Sequence, residues 1–135
     1  MHKFNEEKLI ELTKKGLALR PDIEEAVDEL WTKGIERICW LGIGGTWASG
    51  HQAYTHMKEK TSMEVFVENA TEYIHTGNKR IHDKTLIVFS SVTGTTSEMV
   101  EALELIKKTG ATILGFVDTV DTPLSKIADI CFTAP

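Results

Sequence analysis

Short apolar segments alternate with segments of helical periodicity along most of the chain, and this alternation is the feature that most constrains the fold. The predicted strands cover residues 37–43, 63–67, 85–89, 112–117 and 129–132. Helical patterns lie between them, over about residues 47–60, 68–76 and 96–109. Short continuous apolar runs are typical of strands buried on both faces of a parallel sheet. The order predicts an α/β fold with three layers and a mostly parallel sheet.

Two further helical patterns precede the first strand. The first covers residues 5–20, and the second begins at Pro21 and ends near Gly34. We therefore divide the chain into an N-terminal helical segment, residues 1–34, and a sheet domain, residues 35–135, which ends on a predicted strand. The second helix is acidic, whereas a helix that reads DNA is basic.

The composition places the chain among globular proteins of a single domain. Its 135 residues are 41% hydrophobic and 26% charged, and the formal net charge is −5. An acidic chain is not expected to bind nucleic acid. No apolar run approaches the roughly 18 residues that a membrane span requires, and the first residues lack the apolar core of a signal peptide. We expect a cytoplasmic protein without a membrane partner.

The two cysteines support neither a disulfide nor a metal site. Cys39 and Cys131 both lie in apolar segments and are predicted to be buried. The histidines are not spaced three or four residues apart, which is the separation that places side chains on one helix face. The sequence predicts no metal and no cofactor.

A hydroxyl-rich turn joins the predicted strand 85–89 to the helix that follows it. Such a turn offers side-chain donors beside the free N–H groups of a helix N-terminus, which together bind anions. The turn contains no lysine or arginine, so we expect a phosphate held mainly by neutral donors. The alternative is an ordinary Ser/Thr cap of the helix. The candidate phosphate-binding residues are Ser91, Thr93, Gly94, Thr95 and Thr96.

A glycine-rich turn follows the first predicted strand. Its glycines allow a ligand to approach the backbone closely. The dinucleotide fingerprint would require glycine where Trp47 stands, and no Walker A triplet occurs. Because both turns lie at strand ends, we expect them to face one crevice, with a sugar between them. The candidate sugar-binding residues are Gly44, Gly45, Thr46 and Ser49.

From about Glu36 to Pro135 the chain resembles the sugar isomerase (SIS) domain family. Three parts carry the resemblance: the turn 42–46, the turn 91–96, and the block 108–112 followed by residues 123–125 and 128–129. The second motif of the family usually reads Ser-x-Ser-Gly-x-Thr. Here threonine replaces its second serine at Thr93, which keeps the hydroxyl group. Trp47 stands where the first motif commonly has a serine, and Ser49 is the candidate to replace that contact.

The resemblance implies a five-stranded parallel sheet that binds a phosphosugar at the strand ends. Family enzymes interconvert aldose and ketose phosphates through an enediol, and fructosamine-phosphate deglycases release an amine from a sugar phosphate. The segment 68–80 with the Ser91 turn looks closest to the deglycases. The implied ligand is a sugar phosphate such as fructose 6-phosphate or a fructosamine 6-phosphate.

Enolisation requires a base beside the substrate carbon, and Glu72 is the candidate. The competing interpretation of Glu72 is an ordinary exposed glutamate on a helix surface. In the family a principal glutamate base commonly lies beyond the last strand seen here. The chain therefore resembles the first half of a protein with two SIS domains. We expect it to lack the main base and to pair with a second SIS half or with a second copy of itself.

Two other functions remain compatible with the sequence. The domain could sense a sugar phosphate without catalysis, as SIS domains do in transcriptional regulators. It could also be a flavodoxin-like nucleotide-binding domain, for which Glu68 is the arguable ribose-binding acid. Fold alone does not distinguish these functions.

Overall fold

The computed structural model describes residues 4–134, which form six helices and five strands. Two helices precede the first strand, and from there strands and helices alternate to the last strand. The helices are α1 Glu6–Ala18, α2 Arg20–Thr32, α3 Gly45–Lys60, α4 Ala70–Thr76, α5 Ser97–Lys107 and α6 Pro123–Ile127. The strands are β1 Arg37–Gly42, β2 Glu64–Asn69, β3 Thr85–Ser91, β4 Thr112–Val117 and β5 Ile130–Thr133.

The five strands form one parallel sheet in the order β2-β1-β3-β4-β5, with helices against it. The predicted fold class is therefore confirmed. In the register of the central strands Cys39 pairs with Ile87, and Val88 pairs with Leu114. The chain moves outward from β1 to β2 and then returns to the other side of β1. The order therefore reverses between β1 and β3, and ligands of such sheets bind beyond the strand ends at this point.

Both faces of the sheet are packed, but unequally. On one face α4, α5 and α6 cover a large core that includes Phe89, Met99, Leu103 and Ile113. The opposite face holds a smaller core in which Leu30 of α2 packs with residues of β3 and β4. Burying one such side chain contributes about 1.5–3 kcal/mol, so the larger core supplies most of the apolar stabilisation.

Helix α3 packs closely on the edge of the sheet that contains β1 and β2. A Cβ at position 50 would lie 3.3 Å from Trp40 Cβ and 3.3 Å from Val67 Cγ1. Gly50 therefore lets the helix approach these strands. This contact fixes where the N-terminus of α3 meets the end of β1.

Three local predictions differ from the structure. The helix predicted over residues 68–76 begins at Ala70, because Glu68 and Asn69 extend β2 and Asn69 caps the helix. The short helix α6 was not predicted. Cys39 is buried as expected, but Cys131 is exposed because it lies on the edge strand β5. Within residues 4–134, none of the helices combines the length and apolar character needed to cross a membrane.

Candidate functional site

The two turns singled out from the sequence lie side by side at one edge of the sheet. β1 ends at Gly42, β3 ends at Ser91, and these two strands are paired neighbours. Thr46 and Ser91 line one cavity of about 450 Å³. The structure thus brings the glycine turn and the hydroxyl-rich turn to the same crevice. Its volume is in the range of small-molecule sites, which is roughly 300–1,000 Å³.

The hydroxyl-rich turn is held by its own side chains. Ser91 Oγ accepts a hydrogen bond from the Gly94 N–H at 2.9 Å, and Thr93 Oγ1 accepts one from the Thr95 N–H at 3.4 Å. Gly94 has φ +66°, which favours glycine. These bonds use the hydroxyl oxygens as acceptors. The Ser91 and Thr93 O–H groups therefore still have a hydrogen to donate.

Helix α5 begins without a side-chain cap. Its N-cap residue is Thr96, yet the Thr96 hydroxyl makes no capping hydrogen bond. By contrast, the side chains of Asn5, Asn69 and Thr122 cap α1, α4 and α6. The N–H groups of the first turn of α5 are therefore left without a side-chain capping oxygen, although none of residues 93–99 is among those that line the cavity. This differs from the ordinary Ser/Thr cap that was the alternative interpretation of the turn.

A carboxylate lies within this first turn of α5. Glu98 accepts a hydrogen bond from the Ser97 hydroxyl at 3.0 Å. The bond from its own backbone N–H, and then the one from Ser97, hold the pKa of Glu98 below its ordinary value. Glu98 is therefore ionised at neutral pH. Its negative charge competes with any anion that approaches the N-terminus of α5.

In the glycine turn the hydroxyl groups of Thr46 and Ser49 bond to backbone groups of the turn itself, and the backbone at Gly44 and Gly45 is exposed. Thr46 Oγ1 accepts from the Ile43 N–H at 3.1 Å and donates to the Ile43 carbonyl at 3.0 Å. Ser49 Oγ donates to the Thr46 carbonyl at 3.0 Å. Gly44 has φ +57°, and no atom lies within 4 Å of a Cβ placed at Gly44 or Gly45. Gly44, Gly45 and Ser49 are all exposed, and none of the three is among the residues that line the cavity.

Gly42 constrains this turn although it was not among the predicted site residues. A Cβ at position 42 would lie 2.5 Å from the Trp47 nitrogen, so only glycine lets α3 begin this close to β1. The Trp47 ring packs edge-on against the His51 ring, with centroids 4.6 Å apart. Trp47 therefore contacts its own helix.

Two glutamates near the carboxyl end of β2, Glu68 and Glu72, have different environments. Glu72 lies in the first turn of α4, is exposed, and is not among the residues that line the cavity. Glu68 is 8% exposed, and both its oxygens are occupied. Its Oε1 accepts from the Asn69 N–H at 3.0 Å, and its Oε2 accepts from Asn78 Nδ2 at 2.8 Å. Glu68 thus ties β2 to the loop that follows α4.

Of the predicted site residues only Thr46 and Ser91 line the cavity, and several of its other lining residues were not found from the sequence. Lys8 comes from α1, Phe116 from β4, and Asp118 from the segment directly after β4. The Asp118 N–H donates to the Ser91 carbonyl at 3.3 Å, which holds it beside the hydroxyl-rich turn. Asp118 follows a predicted strand, so the rule about strand ends could have identified it. The residues around Lys8 do not predict that it lines the cavity, because its position depends on how α1 packs on the rest of the domain.

Comparison with known proteins identifies the family. The model of the SIS domain matches residues 32–135. The chain is 28% identical over 98 residues to the isomerizing glutamine–fructose-6-phosphate aminotransferase of Thermococcus kodakarensis, covering 70% of this chain and 16% of that enzyme. It is 26% identical over 110 residues to the fructoselysine 6-phosphate deglycase of Escherichia coli, covering 81% of this chain and 32% of that enzyme.

The fold is also found in solved structures. The Vibrio vulnificus NanR protein complexed with ManNAc-6P superimposes with a TM-score of 0.73 at 16% identity, over 93% of this chain and 47% of that one. The chain belongs to the SIS domain family. It spans about a third of the length of the deglycase and about a sixth of the aminotransferase.

Proposed function

We propose that this domain binds the phosphate group of a sugar phosphate at residues 91–96 and the sugar against the glycine turn. The observation that carries the proposal is the N-terminus of α5, which follows the hydroxyl-rich turn directly and where Thr96 makes no capping bond. Backbone N–H groups at the positive end of a helix, together with hydroxyl donors, bind phosphate. The ligand is a phosphosugar such as fructose 6-phosphate or a fructosamine 6-phosphate.

The proposed reaction is that of a sugar-phosphate isomerase or a fructosamine-6-phosphate deglycase. The similarity to an isomerizing aminotransferase and to a fructoselysine 6-phosphate deglycase supports this class. Both reactions pass through an enediol-type intermediate, which requires a base beside the carbon and donors at the carbonyl oxygen. Glu72 is the base we propose in this chain, and the N–H groups at Gly44 and Gly45 are the candidate donors.

The second candidate is a domain that senses a sugar phosphate without catalysis. Glu72 is exposed and is not among the residues that line the cavity, which supports a role in binding without catalysis. The NanR structure with ManNAc-6P shows that a similarly folded chain binds such a ligand. Turnover by this chain would favour the enzyme, and binding without turnover would favour the sensor.

The test is a calorimetric titration with fructose 6-phosphate, glucose 6-phosphate, a fructosamine 6-phosphate and AMP. We expect saturable binding of a sugar phosphate. The double variant Ser91→Ala, Thr96→Ala should lose about 1–3 kcal/mol of binding free energy, as charge-assisted hydrogen bonds do. The control Thr55→Ala, on the exposed side of α3, should bind as the unchanged protein does. Equal affinity of the double variant would show that the turn is structural, and binding of AMP alone would favour a nucleotide site.

A partner is part of the proposal. The chain covers only a third of the deglycase, and apolar side chains of α1 and α2 are exposed. We propose that a second SIS domain, supplied by a second copy of the chain, packs on these helices and completes the site. On this proposal the domain on its own turns over substrate poorly. Robust isomerase or deglycase activity of a monomeric form would contradict it.

A further inference from the structure

The cavity between α1 and the sheet carries one positive and one negative side chain. Lys8 reaches it from α1, and Asp118 reaches it from the end of β4. Ser90, Ser91 and the apolar Phe116 line the same cavity. No function assigned so far uses the two charges.

The two charges are not neutralised by each other or by neighbours in the part of the chain that the structure describes. Across residues 4–134, neither Lys8 nor Asp118 takes part in an ion pair within 4 Å. Glu11, three residues further along α1, is paired with Lys15 at 2.7 Å, although its charge also interacts with that of Lys8. The Asp118 N–H donates to the Ser91 carbonyl, which keeps the backbone of Asp118 beside the turn.

We propose that Lys8 and Asp118 select a phosphosugar that also carries a cationic amine. The proposal rests on the phosphosugar function above. In this arrangement Lys8 attracts the phosphate bound near Ser91, and Asp118 pairs with the ammonium group of the same ligand. A cavity that presents separate opposite charges is complementary to a ligand with separate opposite charges.

The main effect of Asp118 is to weaken the binding of a phosphosugar that has no amine. A phosphosugar without an amine leaves the carboxylate facing an anion across a small cavity, which is repulsive. Lys8 does not distinguish the two ligands, because both carry the phosphate. The two residues therefore make separable predictions: Asp118 controls the preference between ligands, and Lys8 controls the affinity for both.

The test compares binding of glucosamine 6-phosphate with binding of glucose 6-phosphate, which differ in the amine. The unchanged protein should prefer glucosamine 6-phosphate by about three- to tenfold, the range expected for one exposed ion pair. Asp118→Asn should abolish this preference and leave glucose 6-phosphate bound at least as tightly. Lys8→Gln should weaken both ligands by a similar factor and reduce the dependence of binding on salt concentration.

Matched controls are Asp121→Asn and Lys14→Gln, which remove the same charges outside the cavity lining. Equal binding of the two sugars by the unchanged protein, or a preference that survives Asp118→Asn, would overturn this inference and leave the phosphosugar function standing. Binding of neither sugar by a protein that does bind fructose 6-phosphate would overturn this inference alone, and binding of no sugar phosphate at all would overturn the phosphosugar function as well.

Discussion

Gly94 lies so close to Thr122 that a Cβ at position 94 would be 2.2 Å from the Thr122 hydroxyl oxygen. The Gly94 carbonyl also accepts a hydrogen bond from the Leu124 N–H at 3.1 Å. Thr122 itself caps α6, in a capping box with Ser125. The hydroxyl-rich turn therefore rests on the start of α6, and its shape depends on a helix about thirty residues further along the chain.

Replacing Gly94 with alanine should destabilise the domain more than the same change at Gly77. Both glycines have similar positive φ, +66° and +64°, so both variants lose the freedom that glycine has in this region. A positive φ costs an L-residue about 1–2 kcal/mol in the left-handed helical region, and at least as much at Gly77, whose ψ of −177° lies in a region that glycine almost alone occupies. Only Gly94→Ala adds a clash, because no atom lies within 4 Å of a Cβ at Gly77. We expect at least about 1 kcal/mol of extra loss in the free energy of unfolding, measured by chemical denaturation. Equal losses of unfolding free energy in the two variants would show that Thr122 can move away from a Cβ at position 94 at little cost.

Removing the charge of Glu98 should strengthen phosphosugar binding. Its ionised carboxylate lies in the first turn of α5, where the phosphate would bind. Glu98→Gln should increase affinity about two- to fivefold, as expected for one exposed charge near an anion. Because the pKa of Glu98 is lowered, the group is ionised throughout pH 6–8, and the gain should rise over that range as the phosphate of the ligand loses its second proton near pH 6.

The control for that variant is Glu101→Gln, one turn further along α5, which should change affinity less. Affinities are measured by titration at low and at moderate salt, and the gain should shrink as salt screens the charge. Weaker binding by Glu98→Gln would mean that the Glu98 carboxylate accepts a hydrogen bond from a hydroxyl group of the sugar.

The buried Glu68 should depend on Asn78 for its stability. Asn78→Ala leaves Glu68 Oε2 without the 2.8 Å bond that it accepts, and an unsatisfied buried carboxylate costs about 1–3 kcal/mol. The exposed neighbour Lys79 provides the control, since Lys79→Ala should be nearly neutral. Combining Asn78→Ala with Glu68→Leu should cost less than the sum of the single changes. Strict additivity in thermal and chemical unfolding would show that the two side chains do not act together.

The sheet and its helices follow from the sequence because their signals are local. An apolar run such as residues 112–117 reads as a strand by itself, and the structure forms β4 over those residues. The crevice was also predictable, since parallel strands end at the same edge of the sheet. Helix α6 was harder to find because it is only five residues long, too short for a periodic pattern.

The parts of the site that the sequence did not reveal depend on distant contacts. Lys8 lines the cavity only because α1 lies over the sheet, and its own helix gives no sign of that placement. Glu68 was assigned to a helix because the polar residues that follow it dominate the pattern, whereas pairing with Leu41 in β1 extends the strand through it. Sequence periodicity describes local structure and does not report which strand a residue will pair with.

The exposed apolar side chains of the first two helices should cause the chain to self-associate. Leu9 and Leu17 on α1 are 51% and 68% exposed, and Trp31 on α2 is 59% exposed. Large exposed apolar side chains grouped on neighbouring elements mark interaction surfaces. Sedimentation velocity over a concentration series should therefore show a dimer that dissociates on dilution. The variant Leu9→Lys, Leu17→Lys should weaken the dimer by more than about tenfold, since lysines strongly disfavour a buried interface. Val120→Lys, at an equally exposed position in the loop before α6, should leave it intact. A folded protein that stays monomeric at the highest concentration would contradict the proposed second copy and leave a different SIS domain as the partner.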